Sequence, residues 1–273
     1  MSIVVISSDS YRRGRKIGEK SAQALGYRYL DREILPAVAN RYGIEEAKLI
    51  MALDEIPSFM GISTKLRDRC LAYIQEAVLR ELLQDQVVCH GLSAHLYVHG
   101  VSHVLKVRIL ASSGGRVGGK VSPADVSRRS RKKAKNREKF ARRWSLDAFK
   151  VDETDPSHYD LVINLGQIDA DEAVRIITDT VDHRRFKPMT YSLKCLQDWE
   201  LGSRVRAALM EQFPDVRVEA DGGKVVVETG GLKREKQKKT AAVKALAEKI
   251  PGVKEVQVHI INDIFRQAVE SFR

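Results

Sequence analysis

Over the first 183 residues, apolar positions switch repeatedly between a strand pattern and a helical one. Ile3 to Ile6 is an unbroken, β-branched apolar run closed by Ser7 and Ser8, which reads as a strand buried on both faces. Lys16 to Leu25 then shows helical spacing of Ile17, Ala22 and Leu25, with Gly26 placed to end the helix. Tyr27 to Leu30 is a second short strand, and Asp31 is placed to cap a helix from about Arg32 to Arg41. Leu66, Cys70, Ile74, Val78 and Leu82 form one stripe of a long helix over Lys65 to Leu83. Val87–Cys89, His103–Leu110 and Tyr159–Leu165 read as three more strands, and Asp171–Val181 as a closing helix.

Strands alternating with helices predict an α/β domain with a parallel sheet covered on both faces. Ligands of such sheets bind at the carboxyl ends of the strands, near the switch in strand order. Those ends are Ser7–Lys16, His90–Ala94, Ala111–Arg116 and Asn164–Gly166.

Residues 184–198 have weak periodicity and contain Pro188, which predicts a linker. The pattern resets at Trp199. Leu201, Val205, Ala208 and Leu209 mark an amphipathic helix that ends near Phe213-Pro214. Val216–Ala220 alternates, Asp221-Gly222-Gly223 is a hairpin turn, and Lys224–Thr229 is the return strand. Lys233–Ile250 reads as a helix stopped by Pro251-Gly252, and Val253–Ile261 alternates again. The expectation is a large α/β domain over 1–183, a linker over 184–198, and a small α+β domain of order αββαβ over 199–273.

Composition agrees with two domains: 273 residues, 43% of them hydrophobic, are enough for two cores. The formal net charge of +11 changes the picture more. It favours polyanions: nucleotides, nucleic acid or an anionic membrane surface, although a solvated basic surface gives the same number. The charge concentrates between residues 116 and 150. Arg128, Arg129, Arg131, Lys132, Lys133, Lys135, Arg137, Lys139, Arg142 and Arg143 predict a basic helix over about Asp125 to Trp144. Phe140 and Trp144 are its aromatic residues, a sparse set for stacking on single-stranded nucleic acid.

Cys70, Cys89 and Cys195 lie far apart, which argues against a disulfide framework and for a reducing compartment. The start, MSIVVISSDS, lacks a positively charged leader. No stretch approaches the roughly 20 apolar residues of a membrane span. A cytoplasmic location is expected. His95, His99 and His103 are spaced four apart, but Gly100 interrupts the run and His103 begins a strand, so no metal is expected.

Several segments carry a family likeness. IVVISSDSYRRGRKIGEKSAQALGYRYLD at the start, VVCHGLSAHL in the middle, VLKVRILAS before the basic segment and DPSHYDLVINL near residue 160 resemble, in order and spacing, the cytidylate kinase-like family of P-loop nucleoside monophosphate kinases. The C-terminal part, with DGGKVVVETG, a helix containing AVKALAEK, and IPGVKEVQVHI, is similar to a BON domain. The first resemblance implies a P-loop kinase-like fold and phosphoryl transfer from ATP with Mg²⁺ to CMP or dCMP. It implies nucleotide contacts at Ser8, Arg12, Arg13, Gly14, Arg15, Lys16 and Asn164. Arg116, Arg131 and Arg137, with Arg128 beside them, would face the transferring group. Asp31, Arg32, Gly91 and Ser93 would hold the acceptor, with Glu33, Asp54 and Glu55 nearby. The second implies a binding module whose partner is a protein or a membrane surface.

The chain departs from the family pattern at two phosphate-handling points. The family's Gly-Ser-Gly-Gly-like loop corresponds here to Tyr11-Arg12-Arg13-Gly14, so one glycine of three remains. The G-x-x-x-x-G-K-[ST] motif is absent. The family's Gly-Arg pair corresponds to Gly91-Leu92, and an aliphatic side chain cannot bind phosphate. Three readings follow: a cytidylate kinase; a kinase-fold protein with little or no turnover that acts through its BON-like part; and a nucleic-acid binder using the basic helix.

Overall fold

The computed structural model describes residues 2–58, 61–110, 128–166, 168–231 and 236–261. For residues 128–131, 133 and 134 it describes the backbone only.

Five parallel strands form the N-terminal sheet: β1 (Ile3–Ser8), β2 (Arg28–Leu30), β3 (Val87–His90), β4 (Val104–Leu110) and β5 (Leu161–Asn164), in the order β2-β3-β1-β4-β5. The sheet is buried on both faces, which is why its strands read as continuous apolar runs. Successive side chains alternate between the faces. Ile3 and Val5 join Val87 and Cys89 in one core, against α2 (Leu35–Tyr42), α3 (Glu46–Asp54) and α4 (Thr64–Leu82). Val4 and Ile6 join Leu105, Val107 and Ile109 in the other, against α1 (Tyr11–Leu25) and α7 (Ala170–Val181). The chain leaves β1 toward β2 and β3, then crosses to β4 and β5. The switch in strand order therefore lies at β1.

Two further helices line the carboxyl edge. α5 is a single turn, Ala94–Tyr97, and α6 runs from Arg128 to Phe149. The basic helix expected to end at Trp144 continues five residues further. Trp144 is buried and its indole donates to the Ala52 carbonyl at 3.1 Å. Asp147 pairs with the buried guanidinium of Arg67 on α4. These contacts pin the end of α6 to the first core.

Several other boundaries differ from the sequence expectation. α1 begins at Tyr11 rather than Lys16. The helix expected from Arg32 is a 3-10 turn, Arg32–Ile34, running into α2, with Asp31 accepting from the Glu33 amide at 2.9 Å as its cap. Helix α3 was not expected. Its apolar stripe is short, and it is recognisable only once Leu49 and Ala52 are seen in the core.

The stretch 184–198, expected as a linker, contains a 3-10 turn at Arg184–Phe186 and more than two turns of α8 (Thr190–Leu209). α8 belongs to both halves. Ser192 and Leu196 are buried against the N-terminal domain, whereas Leu201, Val205 and Leu209 enter a third core. Ala207, near the other end of α8, also enters the first core; a helix that feeds two cores from different faces has no single apolar stripe, hence the weak periodicity. β6 (Arg217–Asp221), β7 (Lys224–Gly230), α9 (Lys236–Ala247) and β8 (Glu255–Ile261) complete the C-terminal unit. Its sheet has the order β6-β7-β8, with β6 antiparallel and β8 parallel to β7. Gly222 and Gly223 form the β6–β7 turn at φ 58° and 95°, a left-handed pair suited to a two-residue hairpin. The element order is αββαβ, as the pattern predicts.

Candidate functional site

The carboxyl ends of β1, β3, β4 and β5 open on a cleft of about 1220 Å³, at the switch in strand order. Ser7, Ser8, His90, Arg108, Leu110 and Asn164 form its floor. α6 forms the opposite wall through Lys132, Asn136, Arg137, Phe140 and Trp144.

The β1–α1 connection is only two residues long, Asp9 and Ser10. A phosphate-binding loop works by leaving successive amides pointing into a concavity at a helix N-terminus. Here the Asp9 amide donates to the Ile109 carbonyl at 3.2 Å, and the Arg13 and Gly14 amides both donate to the Ser10 carbonyl at 3.0 Å. Tyr11-Arg12-Arg13 contains no glycine and continues as helix, so α1 occupies the chain length that a wrapping loop would need.

Gly14, the one glycine that remains, has another role. A Cβ there would collide with the Ser8 hydroxyl and the His90 ring. The Ser8 hydroxyl lies 3.1 Å from the Ser10 carbonyl and 3.0 Å from His90 Nε2, within hydrogen-bond distance of both. Burial holds the His90 pKa down to about 4, with Asp31 and Arg32 exerting opposite smaller effects. The imidazole is therefore neutral near pH 7. Tyr11 packs on this ring at 4.9 Å and donates to Asp31 at 3.0 Å. Arg32 lies 4.8 Å over the Tyr11 ring and holds Asp54 through two bonds of 2.7 and 2.5 Å. Two hydrogen-bonded pairs, Ser8–His90 and Tyr11–Asp31, joined by the packing of Tyr11 on the His90 ring, border this side of the cleft. The residues present do not fit a triphosphate wrapped by backbone amides.

The structure brings some predicted site residues together and separates others. Ser8, Arg32, Gly91, Ser93, Arg137 and Asn164 line the cleft. Arg12, Arg13, Gly14, Arg15, Lys16 and Asp31 do not. Arg12 and Lys16 are exposed on α1. Arg15 pairs with Glu19 at 2.8 Å and Glu33 at 2.7 Å, and lies 3.6 Å from Asp31. Arg116 falls outside the described residues, as do the side chains of Arg128 and Arg131. Arg137 lies 3.8 Å from Asp9.

Leu92 borders the cleft but is buried in the first core. It sits in a left-handed run, with Gly91, Leu92 and Ser93 at φ 71°, 56° and 58°. Two of these are non-glycine residues in a conformation that costs about 1–2 kcal/mol each. The run bends β3 sharply into α5 on the rim of the cleft.

The opposite side of the floor holds a cluster that the sequence reading missed. Arg108 is buried on β4, carries no carboxylate partner among the described residues, and donates to the Glu153 carbonyl at 2.6 Å and the Tyr159 hydroxyl at 3.1 Å. The Tyr159 hydroxyl donates to the same carbonyl at 2.8 Å, and burial raises its pKa. His95 faces Glu153 at 3.3 Å and stacks on Tyr159 at 5.4 Å. A charged residue inside the otherwise apolar run VLKVRIL was the one available signal. Arg108, Arg137 and Lys132 give the cleft positive groups, and neutral His90 adds no charge.

The remaining histidines do not assemble. α5 ends at Tyr97, and His103 is buried against Ser192 of α8. Among the described residues no group of three His, Cys, Asp or Glu is placed to hold a metal. Among them also, no helix is long and apolar enough to cross a membrane.

A model of the cytidylate kinase-like family matches residues 3–167, well over half of the chain. The chain belongs to the cytidylate kinase-like family. The match spans β1 to β5 and the whole cleft, so the α/β unit has a nucleotide-kinase-like fold. No curated protein matches the chain. Among solved structures, an uncharacterized protein from Eubacterium ventriosum is similar at 18% identity and a TM-score of 0.44, over 67% of this chain and 100% of that one. Shikimate kinase from Acinetobacter baumannii in complex with shikimate is similar at 14% identity and 0.37, over 68% and 96%. Shikimate kinase from Bacteroides thetaiotaomicron is similar at 10% and 0.36, over 67% and 99%.

Proposed function

We propose that this family member binds a nucleoside monophosphate, CMP or dCMP, in the cleft at the carboxyl edge of the sheet, with phosphoryl transfer from ATP slow or absent. The observation that carries this reading is the two-residue β1–α1 connection, with the Asp9 amide in it and the Arg13 and Gly14 amides of the following helix all bonded within the chain. Donor phosphates lose their cradle, whereas the rest of the cleft keeps cationic and hydrogen-bonding groups. Arg108 and Arg137 supply charge for a monophosphate, Asn164 and Ser93 supply polar contacts, and Phe140 supplies an apolar face.

The C-terminal unit, residues 199–273 in the sequence reading, is then the output module, in keeping with its likeness to a BON domain. α8 enters both cores and is the direct mechanical link between them. A protein or membrane-surface partner for that unit, and a cytoplasmic location, belong to this proposal.

Calorimetric titration of the full chain at physiological salt tests the reading. CMP or dCMP should bind saturably, and ATP should bind at least tenfold more weakly. Binding to an oligonucleotide at that salt, with none to CMP or dCMP, would instead favour a nucleic-acid role for α6. Nonspecific phosphate contacts of a basic helix fade steeply with salt.

A further inference from the structure

A second cleft, of about 770 Å³, lies between α8, β6 and the N-terminal domain, on the side of the molecule served by α4, α5 and the end of α6. Its volume falls in the range of about 300–1,000 Å³ usual for small-molecule sites. We propose that it is a separate ligand site, selective for small anions that carry one flat aromatic ring.

The ring preference comes from the walls. Tyr97 and Phe149 face each other at 5.8 Å on the N-terminal side. Tyr191 and Trp199, two turns apart on α8, line the other side. Tyr191 is 77% exposed and Trp199 36% exposed, although both are large aromatic groups on an ordered helix. A flat ring entering between them removes apolar surface from water and gains the offset or edge-on contacts that aromatic pairs favour.

The preference for an anion comes from Arg206. This guanidinium, half-buried on α8, makes its one hydrogen bond among the described residues with a neutral group, Gln75 Oε1, at 3.1 Å. Burial disfavours its charge, and Asp68 opposes that only from a distance. A guanidinium out of water without a bound carboxylate is costly, and an entering anion would offset that cost. Of the other charges of the cleft, Asp198 is half-buried and Lys194, Arg217, Glu219 and Asp221 are exposed. Lys194 pairs with Asp221 at 2.5 Å, Asp198 accepts from the Gly222 amide at 2.7 Å, and Arg217 and Glu219 project from β6 at the rim. Arg206 is thus the cation at which a ligand's charge is recognised. A nucleoside monophosphate and an aryl carboxylate share the required chemistry. Either would bridge the two halves, because Trp199 already ties them by donating to the His99 carbonyl at 2.9 Å.

The chain has two tryptophans, and each lines one cleft: Trp144 the first, Trp199 the second. Their indole N–H signals in a ¹⁵N-labelled full chain, assigned with Trp199→Phe, report the two sites separately. CMP, cytidine, inorganic phosphate and benzoate are the probes. CMP, benzoate or both should shift the Trp199 signal saturably, and which of them does so identifies the source of the anion. Cytidine and phosphate should need at least tenfold higher concentrations. Arg206→Met should raise the half-saturating concentration at least tenfold, and Tyr191→Ala at least threefold. A Trp199 signal unmoved by CMP and benzoate, or moved equally well by cytidine, overturns the proposal. So does an unchanged half-saturation in a folded Arg206→Met chain. If that variant does not fold, Tyr191→Ala decides alone, and an unchanged value there overturns the proposal. The Trp144 signal, which tracks the first cleft, keeps this outcome distinct from failure of CMP binding there.

Discussion

The Ser8 hydroxyl lies 3.0 Å from Nε2 of His90, and the backbone of Gly14 closes directly over the pair. A glycine that resembles part of a phosphate loop is thereby explained by packing. Gly14→Ala should destabilise the protein by about 1–3 kcal/mol, as overpacking of a tight site does. Urea unfolding measures this. A variant as stable as the parent would show that the pair does not sit against α1.

His90 also predicts a dependence on pH. Its folded pKa, about 4, is below the ordinary value of 6.5 because of burial. Below pH 6.5 the unfolded chain takes up a proton that the native state refuses, so stability falls as pH falls, until the native ring titrates near 4. Burial lowers the His103 pKa as well and adds in the same direction. For His90 the full effect is up to about 3 kcal/mol. His90→Gln should flatten the stability profile between pH 6.5 and 4. A variant profile as steep as the parent's would remove His90 as the cause.

Leu196 predicts how the halves depend on each other. It is buried in the N-terminal core from a helix whose next turns fill the C-terminal one. Leu196→Ala should cost about 2–5 kcal/mol, as truncations of buried leucines do. The loss should appear in the N-terminal domain, although the residue lies beyond the family match. A loss below about 0.5 kcal/mol would place Leu196 among ordinary surface positions.

The sequence made the fold legible where one apolar face or run belongs to one core. The buried strands, the α4 stripe and the Gly222-Gly223 hairpin are such places. α8 was not legible, because Leu196 and Leu201 face different cores and blur its period. The early start of α1 was hidden for a related reason. Tyr11-Arg12-Arg13 is polar and aperiodic, and only the hydrogen bonds to the Ser10 carbonyl make it the first turn of the helix. Within the cleft, the carboxyl-edge location followed from topology. The Arg108–Glu153–Tyr159 cluster was not legible, since its members are separated by 45 or more residues on one side and are joined by contacts no local pattern encodes.

The most direct measurement is ADP release from ATP and Mg²⁺ in the presence of CMP or dCMP, followed by a coupled assay. With the Asp9, Arg13 and Gly14 amides engaged within the chain, release at saturating nucleotide should be slow or absent. Robust release that depends on CMP or dCMP, and that disappears in Arg137→Ala, would contradict the account and establish a working kinase.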